Sequence, residues 1–335
     1  MPQAVAPFSD EQMRIIANLN QHYDVWIEAE RDLAALPYGM RWAERSGKHY
    51  LYHSIDRAGN AKSLGPRSAE TERVFAEYHN SKSVLTDRKN KSALRLAETC
   101  RLYRALGLPL LPSEAAKVLR EADRRRMLGP QIMVVGTNAM PAYAMEAAGR
   151  IGAPDETDDF DMAWTAVSDD GGAIPIWSML KAADSTYTVN TERTFQARNA
   201  TAYEVEILVA PSRAGGMRPT DRPLPIPLPE QEWLLEGKTV SWVVVARDGS
   251  PARIVAPDPR WFALHKLWMS DQEKRNPLKR PKDRKQGFAL LNAVWEAMPQ
   301  FPLDADFRNA LPEELLEYYD LWRSGVVESP TLPNW

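Results

Sequence analysis

Cysteine is nearly missing from this chain: Cys100 is the single one among 335 residues. One thiol can form neither an intrachain disulfide nor a cysteine-based zinc cluster, and a reducing, cytoplasmic home is expected. Cys100 lies in a helical pattern beside Leu102 and Tyr103, which favours a buried structural thiol over a nucleophile. An excess of one charge is also lacking. Lys and Arg number 42 against 45 Asp and Glu, a net charge of -3. That balance excludes a broadly basic nucleic-acid coat and leaves room for a local basic groove. Long apolar runs are absent too; stretches such as Val243 to Ala246 are far too short to span a bilayer, so no membrane partner is expected. The opening MPQAVAPFSDEQ has no basic start leading into an apolar segment, which argues against a signal peptide. Internal repeats and low-complexity tracts are not found.

What is there reads as a globular protein, 44% hydrophobic and 26% charged, long enough for a real core and for two or three packed units. Its 11 tryptophans are scattered and read mostly as core or interface anchors. Ser9 with Gln12 forms a capping-box pattern that predicts a helix over 9–36, stopped by Pro37-Tyr38-Gly39. Tyr50-Leu51-Tyr52 reads as one side of a short strand pair turning at 57–60. A long helix is expected over 69–106, ended by Gly107 and Pro109. Another starts at Ser113 as its cap and closes at Gly129-Pro130. Residues 1–128 therefore form a mostly helical N-terminal region.

The pattern changes at Gln131. Residues 132–135 read as a strand, followed by Gly136-Thr137 and a helix over 138–149 with Pro141 in its first turn, where proline is tolerated. Strands are expected at 159–164, 186–190, 194–198 and 203–209, with a helix over 175–183 and a Pro/Gly/Arg-rich loop at 211–229. A hairpin over 240–255 completes a core spanning 129–256. Residues 257–335 read as a C-terminal helical region with a loose tail.

Asp159-Phe160-Asp161 is the chemical centre. Side chains at i and i+2 of a strand share a face. Two carboxylates on one face repel unless a cation sits between them, so such a pair is a natural Mg²⁺ ligand set. A lone D-x-D is weak evidence, since solvated loop acids look the same. Upstream, Gly136-Thr137 stands where a strand turns into a helix, so backbone N–H groups could meet a phosphate; Thr137 adds a hydroxyl, and Asn138 can cap the helix or bind the ligand. A tight turn with a helix cap is the plain alternative. A third acid is expected from Tyr203-Glu204-Val205-Glu206-Ile207-Leu208, where Glu204 and Glu206 share a face. Glu206, next to the apolar run, is preferred, with Glu204 as the fallback. Tyr143, Trp164 and Trp177 could stack on a base, but core packing explains them equally.

Gly136-Thr137, Asp159-Phe160-Asp161 and Glu206 together resemble the pattern of the DNA polymerase β-like nucleotidyltransferases. Arg260 to Leu267 followed by Lys279-Arg280-Pro281-Lys282-Asp283 is similar to an uncharacterised bacterial nucleotidyltransferase-fold family and to AbiEii-type toxins. Leu64-Gly65-Pro66-Arg67-Ser68 with Glu70-Thr71-Glu72 looks like the N-terminal signature of that uncharacterised family. The resemblance implies an α+β fold: a polymerase β-like core, a small mixed sheet with helices, flanked by N- and C-terminal helical regions. It implies Asp159, Asp161 and Glu206 as catalytic metal ligands for Mg²⁺ or Mn²⁺. It implies Gly136, Thr137, Asn138, Lys266, Lys282 and Asp283 as the nucleotide-binding set, with Lys266 at a phosphate. A glutamate in place of the commoner third aspartate departs from the pattern.

The activity so implied is metal-dependent transfer of an NMP from an NTP to an acceptor hydroxyl, on RNA, protein or a small molecule, with release of pyrophosphate. The basic run within 274–285 is a candidate path for a nucleic-acid acceptor such as tRNA, or simply a charged surface helix. His265 reads as packed rather than as a metal ligand. Two rivals stand. A nucleotide-sugar glycosyltransferase also uses D-x-D but normally has several βα units before it. A catalytically inactive nucleotide-binding protein on the same fold would bind without turnover.

Overall fold

The computed structural model describes residues 3–56, 59–154, 157, 159–167, 174–217 and 220–327. In chain order the elements begin with β1 (Val5–Pro7), α1 (Asp10–Ala35), β2 (Gly39–Arg45), β3 (Lys48–Ser54), β4 (Ala61–Pro66) and α2 (Ala69–Ala105). The middle of the chain holds β5 (Leu110–Leu111), α3 (Ser113–Arg124), β6 (Ile132–Val135), α4 (Met140–Glu146), β7 (Gly149–Ile151), β8 (Asp159–Trp164), α5 (Ile176–Ala183), β9 (Thr188–Val189), β10 (Gln196–Arg198) and β11 (Glu204–Val209). The last are β12 (Val240–Ala246), β13 (Pro251–Ala256), α6 (Pro259–Asp271), α7 (Arg280–Ala297), α8 (Ala305–Asn309) and α9 (Glu313–Val327). This is a mixed architecture of helices and small sheets, compatible with the α+β class. By contacts the chain forms two compact units, Asn18–Thr99 and the combination of Met1–Ala17 with Cys100–Trp335.

The smaller unit holds most of α1 and α2 and the antiparallel sheet β2-β3-β4. Leu19, Tyr23 and Ile27 recur at four-residue spacing along α1 and are buried. The sheet lays Leu51, fully buried, and Trp42 toward α2, where the Trp42 ring stands 5.7 Å from that of Phe75. Strand β2 was not expected from the sequence. Its alternating residues cover a sheet with only one buried face, and the Ser46-Gly47 turn, with φ of 51° and 72°, closes the β2-β3 hairpin. The expected turn at 57–60 falls partly outside the described residues. The capping box of α1 is made as expected: the Gln12 N–H donates to Ser9 Oγ and the Ser9 N–H to Gln12 Oε1.

The larger unit is organised by a five-stranded sheet in the order β6-β8-β11-β10-β9. β8 runs antiparallel to β6 and parallel to β11, while β10 and β9 complete an antiparallel edge. Burial alternates along β11, so Val205, Ile207 and Val209 face the core while Glu204 and Glu206 face the other way. In β8, Phe160 and Met162 alternate with the two aspartates and point inward. A second sheet, β13-β12-β5, contains the expected hairpin, and β1 pairs with β7.

Some local expectations fail. Ser113 does not cap α3; its Oγ accepts instead from the Asp248 N–H, and α3 ends at Arg124, short of Gly129-Pro130. The helix expected over 138–149 is a 3₁₀ turn, Thr137–Ala139, then the short α4, because residues 149–151 peel away to pair with β1. Cys100 is buried, as expected, and burial pushes its thiol up to about 12.

Helix α6 starts where Asp258 accepts from the Arg260 N–H, with Pro259 in the first turn. It packs closely on α7: a Cβ placed on Gly287 would fall 2.6 Å from Leu267 Cγ and 2.8 Å from the Ala263 carbonyl oxygen, so only glycine permits the approach. Among the described residues no helix is long and apolar enough to cross a membrane. Phe160 is fully buried on the inner face of β8, so Phe160→Ala is expected to destabilise the chain by about 3–5 kcal/mol, read as a lower urea midpoint.

Candidate active site

The site is built on the outer face of β8 and β11. Parallel pairing sets Glu204 opposite Asp159 and Glu206 opposite Asp161. Because both strands pleat in step, all four carboxylates stand on one face. Two are already engaged at the sheet edge. Arg198 pairs with Glu204, its Nε donating to Oε1 at 2.8 Å. Gln196 from β10 donates to Glu204 Oε2 at 2.8 Å and to Glu206 Oε1 at 3.0 Å. Glu204 is therefore paired with an arginine, whereas among the described residues Glu206 is met by the neutral Gln196 amide.

Asp161 lies between its like-charged neighbours. Burial, then the negative charges of Asp159 and Glu206, push its carboxyl up to about 7, although Lys266 and Lys279 pull the other way. Asp159 is in the opposite state. Burial pulls it up, but hydrogen bonds from Lys279 and Thr157 outweigh that and hold it below the usual carboxylate range. The Lys279 ammonium thus sits on Asp159 as the countercharge. Among the described residues no three acidic, histidine or cysteine groups converge as a ready cation cage. In this arrangement Asp159 turns to Lys279 instead of closing on Asp161 and Glu206.

Gly136 ends β6 directly against this face. Val135 pairs with Asp161, and at Gly136 the backbone adopts φ +71°. A Cβ here would land on the Asp161 carboxylate, 3.1 Å from its Cγ and closer still to one oxygen. Both the dihedral and the close approach therefore demand glycine. Thr137 and Asn138 follow in the 3₁₀ turn, and both are buried. The Asn138 amide does not cap a helix; it donates to the Asp159 carbonyl oxygen at 2.8 Å and so ties the turn to the start of β8. Its own Oδ1 is buried without a partner. Gln286 of α7 reaches the same turn, donating to the Pro154 carbonyl oxygen at 2.6 Å and lying 3.4 Å from Thr137 Oγ1.

The remaining expected residues come from α6 and α7. Lys266 and Asp283 meet in a buried ion pair of 2.7 Å, and Arg275 completes it with a second contact to Asp283 at 2.8 Å. Burial opposes ionisation of Asp283, but Lys266 and Arg275 hold its carboxyl low. Lys282 is half-buried; burial, then the charge of Lys266, lowers its ammonium from the usual range. His265 is packed as expected, with Trp233 and Trp268 nearby, and burial pushes it down to about 3. Tyr143 and Trp164 are core residues, whereas Trp177 is partly exposed beneath Lys181.

Part of the basic run within 274–285 is occupied internally. Arg275 holds Asp283, and Arg280 donates to the carbonyl oxygens of Arg275 and Glu273. Beside it lies a groove of about 740 Å³ whose walls include Trp268, Met269, Arg275 and Asn276. Sequence reasoning overlooked Lys279 as an individual, Gln196 and Gln286. Lys279 stood in the basic run with nothing in its spacing to separate it from its neighbours; the two glutamines carry no signal of their own.

A family model described as "Nucleotidyltransferase" matches residues 113–312, well over half of the chain. No curated protein and no solved structure matches it.

Two outcomes follow from this geometry. Gly136→Ala is expected to cost roughly 1–3 kcal/mol, and combining it with Asp161→Ala should cost less than the sum of the two, because the second change removes the colliding carboxylate. Thermal unfolding of the four proteins of that cycle measures the coupling. The second outcome concerns pH. With its carboxyl raised from 3.8 to about 7 in the folded state, Asp161 keeps a proton that the unfolded chain has released. Its contribution to stability is therefore present below about pH 4 and lost as pH rises towards 7. In chelator, Asp161→Asn should melt higher than the unaltered chain at pH 8, and the gap should shrink at pH 4.

Proposed function

This chain belongs to the nucleotidyltransferase family, and from that membership we propose that it transfers an NMP from an NTP to an acceptor hydroxyl on a polymerase β-like core, with Asp159, Asp161 and Glu206 as its metal-binding acids. The family as a whole uses an NTP and a divalent metal. The observation that carries the finer reading is the register of β8 and β11, which sets Glu206 beside Asp161 on the face that also bears Asp159.

The donor set fits a hard divalent cation. All three groups are carboxylates, the preferred ligands of Mg²⁺ and Mn²⁺. Asp161 lacks enough positive charge to ionise easily, and Asp159 already attracts an ammonium, so the face lacks cationic charge. Metal bound there would supply Lewis-acid polarisation of the acceptor hydroxyl and the α-phosphate. The protein's own part is placement. Glycine at 136 lets the chain pass close to Asp161, so backbone N–H groups of the turn stand beside the acids and can meet phosphate oxygens. Asn138 and Gln286 fix that turn and act as positioning residues. The Lys266–Asp283–Arg275 cluster holds positive charge close enough to be felt at Asp161, which suits stabilisation of the triphosphate as charge moves to the leaving pyrophosphate. Lys279, on release from Asp159, is a further cation for that charge, and Lys282 another. The groove beside Arg275 has room for a base and sugar, with Trp268 available for stacking.

A second reading is favoured by one observation. Lys279 occupies Asp159 as a cation would, which also suits a protein that binds nucleotide without turning it over. Labelled NTP with Mg²⁺ or Mn²⁺ and total cellular RNA as acceptor separates the two. Under the transfer reading, label moves to an acceptor and either Asp159→Ala or Asp161→Ala reduces transfer to background while the fold survives. Binding without turnover would support the second reading, and transfer retained in either variant would reject the assignment of these acids. Independently of activity, Mg²⁺ or Mn²⁺ should raise the melting temperature of the unaltered chain and leave that of the Asp161→Ala variant unchanged.

A further inference from the structure

The smaller unit carries a surface that the transfer chemistry does not use. Its sheet packs one face on α2 through Trp42 and Leu51. The opposite face is set by the strand registers. Arg41 stands across from Tyr52, Ala43 from Tyr50, and Arg45 from Lys48. On the other side of β3, Ser63 is opposite Tyr52 and Pro66 opposite Tyr50. Side chains at alternate positions share a face, so two tyrosines stand two residues apart on β3 with three cations around them. Small Ala43 beside Tyr50 leaves that ring uncovered on the β2 side. Both tyrosines are partly exposed, and Arg41, Arg45 and Lys48 are exposed.

The cations on this face differ from most of those on the unit's helices, although Lys82 on α2 also bonds a tyrosine hydroxyl and a carbonyl instead of an acid. On its helices, Arg73, Arg88, Lys89, Lys91 and Arg95 are each paired with an acid. Arg41, Arg45 and Lys48 have no acidic partner among the described residues. Glu44, the acid within β2, belongs to the opposite face, across from His49. Unpaired cations around two aromatic rings form a surface complementary to a chain that alternates phosphates with flat bases. Bases stack on such rings whatever their identity, and the cations meet the backbone.

We infer that the Arg41–Arg45–Lys48–Tyr50–Tyr52 face of the sheet binds single-stranded RNA. The choice of RNA rests on the transfer reading: a nucleotidyltransferase needs an acceptor hydroxyl, and an RNA strand offers them at its 3′ end. Binding at this face is a property of the smaller unit and stands or falls by its own measurement.

The experiment titrates the full chain into a short fluorescein-labelled single-stranded RNA of mixed sequence and follows anisotropy. Replacing Tyr50 or Tyr52 by Ala should weaken binding about tenfold each, whereas Tyr50→Phe and Tyr52→Phe should bind as the unaltered chain does. The R41Q/R45Q/K48Q variant should bind weakly and lower the slope of log affinity against log salt by about two. This variant carries the test if an alanine variant does not fold, since it changes only exposed side chains. Absence of RNA binding by the unaltered chain overturns the inference. So does unchanged affinity in R41Q/R45Q/K48Q, loss of binding only in K274E/K285E, or equal affinity for duplex DNA of the same sequence. NTP consumption with a small hydroxyl acceptor, measured on the Arg41, Arg45, Lys48, Tyr50 and Tyr52 variants, should be unaffected. If RNA binds as stated while no NTP is consumed, the transfer reading fails and this one survives.

Discussion

Like charges held in step on two neighbouring strands are the constraint around which the larger unit is arranged. Parallel pairing of β8 and β11 leaves Asp159, Asp161, Glu204 and Glu206 with no choice of face. Their mutual repulsion in a partly buried place has to be offset. The structure does so in three ways: Arg198 takes Glu204, Lys279 takes Asp159, and a raised affinity for a proton is left at Asp161. That last group has two negative neighbours, which is why burial there raises its affinity for a proton. Gly136 belongs to the same constraint, because Asp161 fills the space that any side chain at that position would need.

The helical part of the unit supplies the opposite charge. α6 and α7 approach closely because Gly287 lets Leu267 and Ala263 press against the α7 backbone. This closeness buries Lys266 together with Asp283, and Arg275 closes the cluster from the connecting loop. A buried ion pair of this kind is costly to desolvate, so its presence is weak evidence for stability and better evidence that charge is wanted in place. Lys279, in that same connection, links the helical layer to the acidic strands.

Charge placement follows a different rule in the smaller unit. Most cations on its helices are paired with acids, which is the ordinary state of an exposed helix and worth little to stability. The sheet face leaves its cations unpaired beside two tyrosines.

Much of this was legible along the chain. Alternation in Glu204–Val209 and in Asp159–Trp164 forecast strands with acids on one side, and the capping box at Ser9 and Gln12 forecast where α1 begins. β2 was missed because a sheet buried on one side only needs little hydrophobicity, and Pro37-Tyr38-Gly39 looked like a simple stop. The helix after Gly136 was read as too long because strand pairing between β1 and β7 is a contact between distant segments. Lys279, Gln196 and Gln286 were illegible for the same reason: their importance lies in which partner they reach, and no local pattern records that.

The sequence by itself determined which residues could share a face, since the two-residue period of a strand is a property of the backbone, and it determined that Gly136 stands at the end of a strand. Only the tertiary structure shows that Arg198 pairs with Glu204, because β10 is laid beside β11 with those two residues opposite each other. It alone decided that Lys279 reaches Asp159, since that contact depends on how α7 packs against the sheet, and packing between segments far apart in the chain is set by shape and burial that no short window of residues contains.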